Sequence, residues 1–186
     1  MLKVGMTKSR IEEEIAGKGD FVQIDALITF LKEPLSLDIK KFVFIKLAKL
    51  YEKTGMLKEA AKNYSNAAGV SIPFSEKIKH FVKETELYIQ AGNFEKADEA
   101  RKKALSEANS AEKNEISFTI KEFYKKQAES FEKNLKRAHA TRIYEKLLEM
   151  GISDFEKKEI SGRLLEMYDK LGKIKEYDIL KKRMQG

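Results

Sequence analysis

Apolar residues recur along this chain at the three- and four-residue intervals of an α-helix, without the alternation typical of strands. One such stripe consists of Phe44, Leu47, Ala48 and Tyr51. Gly55 follows at the point where this helix should end, because glycine readily adopts the positive φ found just beyond a helix C-terminus. The pattern therefore predicts a helix that stops at Gly55, with a second helix from about Met56 onward.

The same spacing returns 37 residues further along the chain. A repeat of this length is one helix–turn–helix unit, which buries its apolar face only by stacking on neighbouring units. Weaker copies surround Phe131 and Tyr168, and the third copy has Leu135 in place of the glycine. We therefore expect ten helices in five pairs. The two clear copies are Tyr51, Gly55, Ala60, Tyr64 and Ala67, followed by Tyr88, Gly92, Ala97, Arg101 and Ala104.

These copies predict a single elongated helical-repeat domain over residues 1–186. A degenerate N-terminal capping pair occupies 1–35, and repeat units follow at 36–72, 73–110, 111–151 and 152–186. The step from the second copy to the third is 43 residues, which predicts a longer helix or loop near 107–117. Ser9 with Glu12, and Ser153 with Glu156, have the capping-box spacing expected at helix starts.

The order aromatic, glycine, alanine, aromatic, alanine resembles that of the tetratricopeptide-repeat family. The resemblance implies an all-α fold, an α-solenoid of stacked antiparallel helix pairs that form a right-handed superhelix. It also implies a non-catalytic scaffold or adaptor that binds a peptide or partner protein in a concave groove. The chain looks broadly similar to long-paired helical adaptors such as the soluble attachment proteins of vesicle fusion, but it contains no motif specific to them.

In the resembling family, the first helix of each pair lines the groove with residues offset from the core stripe. Transferred to this chain, those positions are basic and apolar at the start of the array, which would complement an acidic and apolar segment of a partner. For Phe42 and Ile45, packing against the preceding helix pair is an equally good interpretation. The predicted partner-binding residues are Phe42, Ile45, Lys46, Lys49, Lys53, Lys79, Val82, Lys83 and Ile89.

Charge suggests a second function. The net charge is +7, and residues 39–75 contain seven lysines against two glutamates. Lys46, Lys49 and Lys53 share a helical face, so the alternative is an RNA- or ribonucleoprotein-binding protein that acts through this lysine-rich face. The patch lacks arginines and exposed aromatic residues for base stacking, and lysine-rich helical faces are most often solvated surface that maintains solubility.

Residue types argue against an enzyme. The chain has no cysteine, and His80 and His139 do not form a metal-binding pattern. Its glycines lie between helices rather than in a phosphate-binding loop. We expect no catalytic residue, no metal and no cofactor.

The apolar segments are too short to cross a bilayer, and the first ten residues lack an apolar secretory core. The sequence therefore predicts a cytoplasmic protein without a membrane partner. The last predicted helix has an apolar stripe that either covers the preceding helix or pairs with a second copy or another protein, which leaves the oligomeric state open. The stripe consists of Ile174, Tyr177, Leu180 and Met184.

Overall fold

The structure, a computed structural model, describes residues 1–185. Gly186, the last residue of the predicted 152–186 unit, lies outside the described residues. The described residues form ten α-helices and no strand, which confirms the all-α fold of paired helices. The helices are α1 (Lys8–Ile15), α2 (Asp20–Phe30), α3 (Leu37–Lys53), α4 (Leu57–Val70), α5 (Phe74–Gln90), α6 (Phe94–Ser106), α7 (Ser110–Lys133), α8 (Arg137–Leu148), α9 (Asp154–Leu171) and α10 (Ile174–Gln185).

Contacts between helices divide the chain into two compact units, Met1–Ile116 and Ser117–Gly186, with the boundary inside α7. In the first unit, α3 packs on α4, α4 on α5 and α5 on α6, and α2 packs on α3. In the second unit, α8 packs on α9 and α9 on α10. Within each unit, successive helices therefore stack in chain order, as in an α-solenoid. The single elongated domain over residues 1–186 stays a prediction.

Small residues lie where the helices meet. Ala60 and Ala97, at equivalent positions in two repeat units, are both fully buried, as are Ala48 and Ala140. An alanine at a contact lets two helix backbones approach closely, and neighbouring aromatic rings fill the remaining space. The repeating alanines and tyrosines thus form part of the core of the helix stack, together with buried leucines and isoleucines.

Left-handed residues end the first helix of each pair. Gly55, Gly92 and Gly172 have φ of +75°, +69° and +67°. Leu135 occupies the same position in the third copy with φ of +56°, and it is the one residue other than glycine with positive φ in the described chain. The predicted turns are confirmed. α7 begins at Ser110 and has 24 residues, so the longer third unit is confirmed as an extended helix.

Of the two predicted capping boxes, one is confirmed. Both of its hydrogen bonds form at Ser153 and Glu156, where α9 begins. The box at Ser9 is wrong, because α1 begins at Lys8 and Ser9 already lies inside the helix. The Thr7 hydroxyl caps α1 instead, accepting a hydrogen bond from the Arg10 backbone N–H at 3.3 Å.

α10 packs on α9, which is one of the two uses expected for its apolar stripe. Ile174 nevertheless stays 72% exposed and Met184 stays 41% exposed. The stripe is therefore only partly covered within the chain.

The backbone at Leu135 gives a stability prediction. We expect Leu135→Gly to raise the free energy of unfolding by about 0.5–1 kcal/mol, because glycine relieves the left-handed strain and the leucine side chain is 70% exposed. Gly55→Ala should have the opposite sign, since an added Cβ meets no atom within 4 Å and only the backbone penalty remains. Urea unfolding of both variants measures the difference, and a destabilised Leu135→Gly would contradict the assignment of strain.

Candidate partner-binding surface

All nine predicted partner-binding residues lie on α3 and α5, the first helices of successive pairs in the first unit. Two ion pairs join these helices directly. Lys41 lies 2.6 Å from Glu76 near both N-termini, and Lys83 lies 3.0 Å from Glu52 further along. Two such links in the same order along both helices require α3 and α5 to run side by side in the same direction.

Six of the nine residues lie between these two links in sequence. One of them, Lys46, is paired with Glu12 on α1, and the other five form a surface that we call the A-helix face. It consists of Phe42, Ile45 and Lys49 on α3 and of Lys79 and Val82 on α5. The three apolar side chains are half-buried, and both lysines are exposed. Neither lysine forms an ion pair with any residue in the range 1–185, so each keeps an uncompensated positive charge.

The predicted basic patch is largely neutralised by the N-terminal helix pair. Lys46 forms an ion pair with Glu12 at 3.0 Å, and Lys53 forms one with Asp20 at 2.7 Å. Both carboxylates come from the 1–35 segment, more than thirty residues earlier in the chain. Of the three lysines proposed for nucleic-acid binding, only Lys49 is left without a carboxylate partner in the described chain.

Ile89 is not part of the surface, and its prediction as a partner-binding residue is wrong. Its side chain is fully buried, next to the buried Tyr88. The reason is that α4 packs on one side of α5 and α6 packs on another, so more of its circumference is covered than a single core stripe predicts.

Lys83 belongs to a polar cluster that links three consecutive helices, which we call a tyrosine clasp. The Tyr64 hydroxyl on α4 donates to Glu52 Oε1 on α3 at 2.9 Å, and Lys83 Nζ on α5 contacts Glu52 Oε2 at 3.0 Å. Lys83 also forms an ion pair with Glu86 at 3.0 Å. The carboxylate of Glu52 thus connects its own helix to the next two helices.

The second unit contains a clasp of the same design. The Tyr144 hydroxyl on α8 donates to Glu132 Oε2 on α7 at 2.6 Å, and Arg163 Nη1 on α9 donates to the same oxygen at 3.2 Å. Arg163 Nη2 also donates to Glu159 at 3.0 Å. In both clasps the tyrosine follows the glutamate by 12 residues and the cation follows it by 31. In the pair formed by α5 and α6, the equivalent positions carry Ile89 and Arg101, which have neither a carboxylate nor a hydroxyl group.

The clasps shift the pKa values of their members. Burial and the hydrogen bond to Glu52 raise the pKa of Tyr64, and burial and Glu132 raise that of Tyr144 in the same way. Burial acts to lower the pKa of Lys83, but its hydrogen bonds with Glu86 and Glu52 outweigh burial and raise it. At neutral pH the tyrosines are therefore hydroxyl donors and Lys83 is charged, which is the state that the clasp requires.

A cleft of about 230 Å³ opens beside the clasp of the second unit. Lys125 crosses it to Glu156 at 2.6 Å, and hydrogen bonds from Lys125 and from Ser153 lower the pKa of Glu156 to about 2. The two cations that line the cleft, Lys125 and Arg163, are thus both paired with carboxylates. The lining residues are Lys125, Glu129, Tyr144, Glu156, Glu159, Ile160 and Arg163.

Glu84 on α5 is a buried carboxyl group on the opposite side of the helix from Lys79. Its side chain is 4% exposed, and Lys103 Nζ on α6 lies 3.2 Å from its Oε1 and 3.2 Å from the hydroxyl of Ser65. Its Oε2 has no hydrogen-bond partner. Burial raises the pKa of Glu84 more than Lys103 lowers it, so folding makes this carboxyl group a weaker acid.

Stacked helix pairs with alanine contacts, and a polar and apolar surface on their first helices, define a helical-repeat protein. The chain also matches the family model described as soluble NSF attachment protein, SNAP, over residues 42–176. It therefore belongs to the soluble NSF attachment protein family. This is a family of non-catalytic helical adaptors that bind protein partners. Among curated proteins, no match to the chain was found.

None of the helices in the described chain combines the length and the apolar character needed to span a bilayer. The cytoplasmic location expected from the sequence stays a prediction.

The tyrosine clasps can be tested by removing one oxygen atom. We expect Tyr64→Phe and Tyr144→Phe each to lower the free energy of unfolding by about 1–2 kcal/mol, because each removes a hydrogen bond to a charged carboxylate. Tyr51→Phe is the matched control, since Tyr51 is similarly buried but has no hydrogen bond from its hydroxyl among the described residues. Equal losses in all three variants, measured by urea unfolding, would show that the clasps add nothing to stability.

Glu84 predicts an unusual pH dependence. The folded pKa of Glu84 is raised above its ordinary value of 4.5. Ionisation of this carboxyl group therefore lowers the free energy of unfolding as the pH rises above 4.5. Glu84→Gln should therefore have a higher Tm than the parent chain at neutral pH, and the difference should vanish below about pH 4. Glu99→Gln on α6 is the control, because Lys96 lowers the pKa of the exposed Glu99 and the substitution should not stabilise. A Glu84→Gln variant that is less stable at neutral pH would contradict this assignment.

Proposed function

We propose that this chain is a non-catalytic scaffold that binds a segment of a partner protein on the A-helix face of its first unit. The observation that carries the proposal is the pair of exposed lysines, Lys49 and Lys79, which no carboxylate of the described chain neutralises. They lie among the half-buried side chains of Phe42, Ile45 and Val82. The soluble NSF attachment protein family supplies the coarser statement that the protein is an adaptor.

The charges and apolar side chains of the A-helix face indicate which kind of partner segment it would bind. Two positive charges without partners attract carboxylates. Burial of the apolar side chains between them against a partner would contribute favourable free energy to binding. The ion pairs Lys41–Glu76 and Lys83–Glu52 on either side of the face hold α3 and α5 in place before binding, which lowers the entropy lost on association. The partner we propose is an extended or helical segment that carries acidic and apolar residues.

RNA binding has less support than it had from the sequence alone. A nucleic acid needs several uncompensated cations along its backbone, and Lys46 and Lys53 are paired with Glu12 and Asp20. Carboxylates at Glu52 and Glu86 next to the face would also repel phosphates. We keep RNA binding as an outcome of the test rather than as a second proposal.

The test compares proteins from the source cell that are retained by the immobilised full chain and by two double variants. We expect Lys49→Glu with Lys79→Glu to weaken retention of a specific partner about tenfold, because two attractions become repulsions. The matched control is Lys58→Glu with Lys102→Glu, which makes the same charge change at two exposed lysines on the second helices of the pairs, α4 and α6.

The same experiment is run with and without nuclease and at moderate salt. Retention that survives nuclease and is lost only in the Lys49 and Lys79 variant supports a protein partner. Retention that nuclease abolishes, and that falls steeply with salt, would replace the scaffold with the RNA alternative. Equal loss in both double variants would mean that net charge, rather than the A-helix face, binds the partner.

A further inference from the structure

A large apolar side chain is exposed on four of the first helices, at positions that correspond within each unit. In the first unit these residues are Leu37 on α3 and Phe74 on α5, which are 56% and 65% exposed. In the second unit they are Phe118 on α7 and Phe155 on α9, which are 61% and 79% exposed. Within each unit the two residues are 37 residues apart, which is the length of one repeat, so they occupy equivalent places on successive first helices.

Each of these apolar residues has a lysine three positions later, on the same side of its helix. Lys77 Nζ lies 5.3 Å from the centre of the Phe74 ring and 3.8 Å from Glu107, and Lys121 Nζ donates to the carbonyl of Gly151 at 3.3 Å. Lys40 and Lys158 form no ion pair among the residues that the structure describes. We call the four sets edge pairs: Leu37 with Lys40, Phe74 with Lys77, Phe118 with Lys121, and Phe155 with Lys158.

The recurrence distinguishes the edge pairs from ordinary exposed apolar residues. Single exposed leucines or phenylalanines are common on folded proteins. The core does not require a bulky apolar side chain and a lysine to recur together on four first helices, because none of the four apolar residues is buried. Three of them lie in the first turn of their helix, where unpaired backbone N–H groups add to the positive potential of the lysines.

Negative side chains next to the edge pairs narrow the choice of partner. Asp38, Glu76 and Asp154 lie in the first turns of α3, α5 and α9. A uniformly anionic surface, such as a nucleic-acid backbone or an acidic bilayer, would meet these carboxylates as well as the lysines. A protein segment can instead place its own carboxylates opposite the lysines and its apolar side chains against the leucine and phenylalanines.

We propose that the edge pairs form a second docking surface, for a protein segment in which apolar residues and carboxylates recur one helical turn apart. This surface shares no residue with the A-helix face, so it does not depend on the proposed function. Each unit has two edge pairs. A partner that contacts both binds more tightly, because the second contact forms within a complex that already exists.

The probe is a labelled synthetic peptide in which leucine and glutamate recur one turn apart, titrated with the full chain and followed by fluorescence anisotropy. We expect saturable binding that weakens about tenfold in Leu37→Asn with Phe74→Asn, and similarly in Phe118→Asn with Phe155→Asn. Lys40→Glu with Lys158→Glu should also weaken it. Circular dichroism confirms that each variant is folded, which is expected because the side chains are exposed.

The matched control is Phe21→Asn with Val22→Asn, which removes two apolar residues that are 68% and 58% exposed and have no lysine three positions later. The Lys49→Glu with Lys79→Glu variant separates this proposal from the proposed function and should bind the peptide as the parent chain does. No binding by the parent chain, or equal loss in the control, would overturn the proposal. So would tighter binding to polyuridylate or to vesicles containing phosphatidylserine that depends on the same residues.

Discussion

The fold depends on the close approach of helices at alanine. A single helix pair has one apolar face and nothing to cover it, so it becomes stable only when the next pair packs against that face. Ala48, Ala60, Ala97 and Ala140 lose all contact with water at these interfaces. A larger side chain there would force the helices apart and would also separate the tyrosines that fill the adjacent space. The requirement that helices pack closely therefore explains why the pattern recurs every 37 residues.

The tyrosine clasps add a polar counterpart to this packing. A tyrosine buries its ring between helices and still reaches a glutamate with its hydroxyl, and the cation of the following helix neutralises that glutamate. The clasps also determine which charges remain for a partner. Lys83 is paired with Glu52 and Glu86 within the stack, whereas Lys49 and Lys79 form no ion pair among the described residues. The charges available to a partner are thus those that are not already paired between neighbouring helices.

Membership of the soluble NSF attachment protein family was visible in the sequence only as a broad similarity. Alanines, glycines and aromatic residues at helical spacing are common to many helical repeats, because all of them must solve the same packing problem. The match over residues 42–176 extends over most of both units rather than resting on one motif. The adaptor role follows from the family, whereas the two proposed docking surfaces come from side chains that the stacking leaves exposed.

The sequence by itself determined the features that arise within one helix or turn. Helical periodicity, the glycine turns, the extension of α7 and the Ser153 cap depend on neighbours a few residues away, so they were predictable. Tertiary structure decided everything that depends on which helices meet. It buried Ile89 on α5, a helix that packs on both α4 and α6, and it paired Lys46 and Lys53 with carboxylates more than thirty residues earlier in the chain. A charge pattern read along one helix cannot predict such pairs, because stacking alone sets the distance between side chains on different helices.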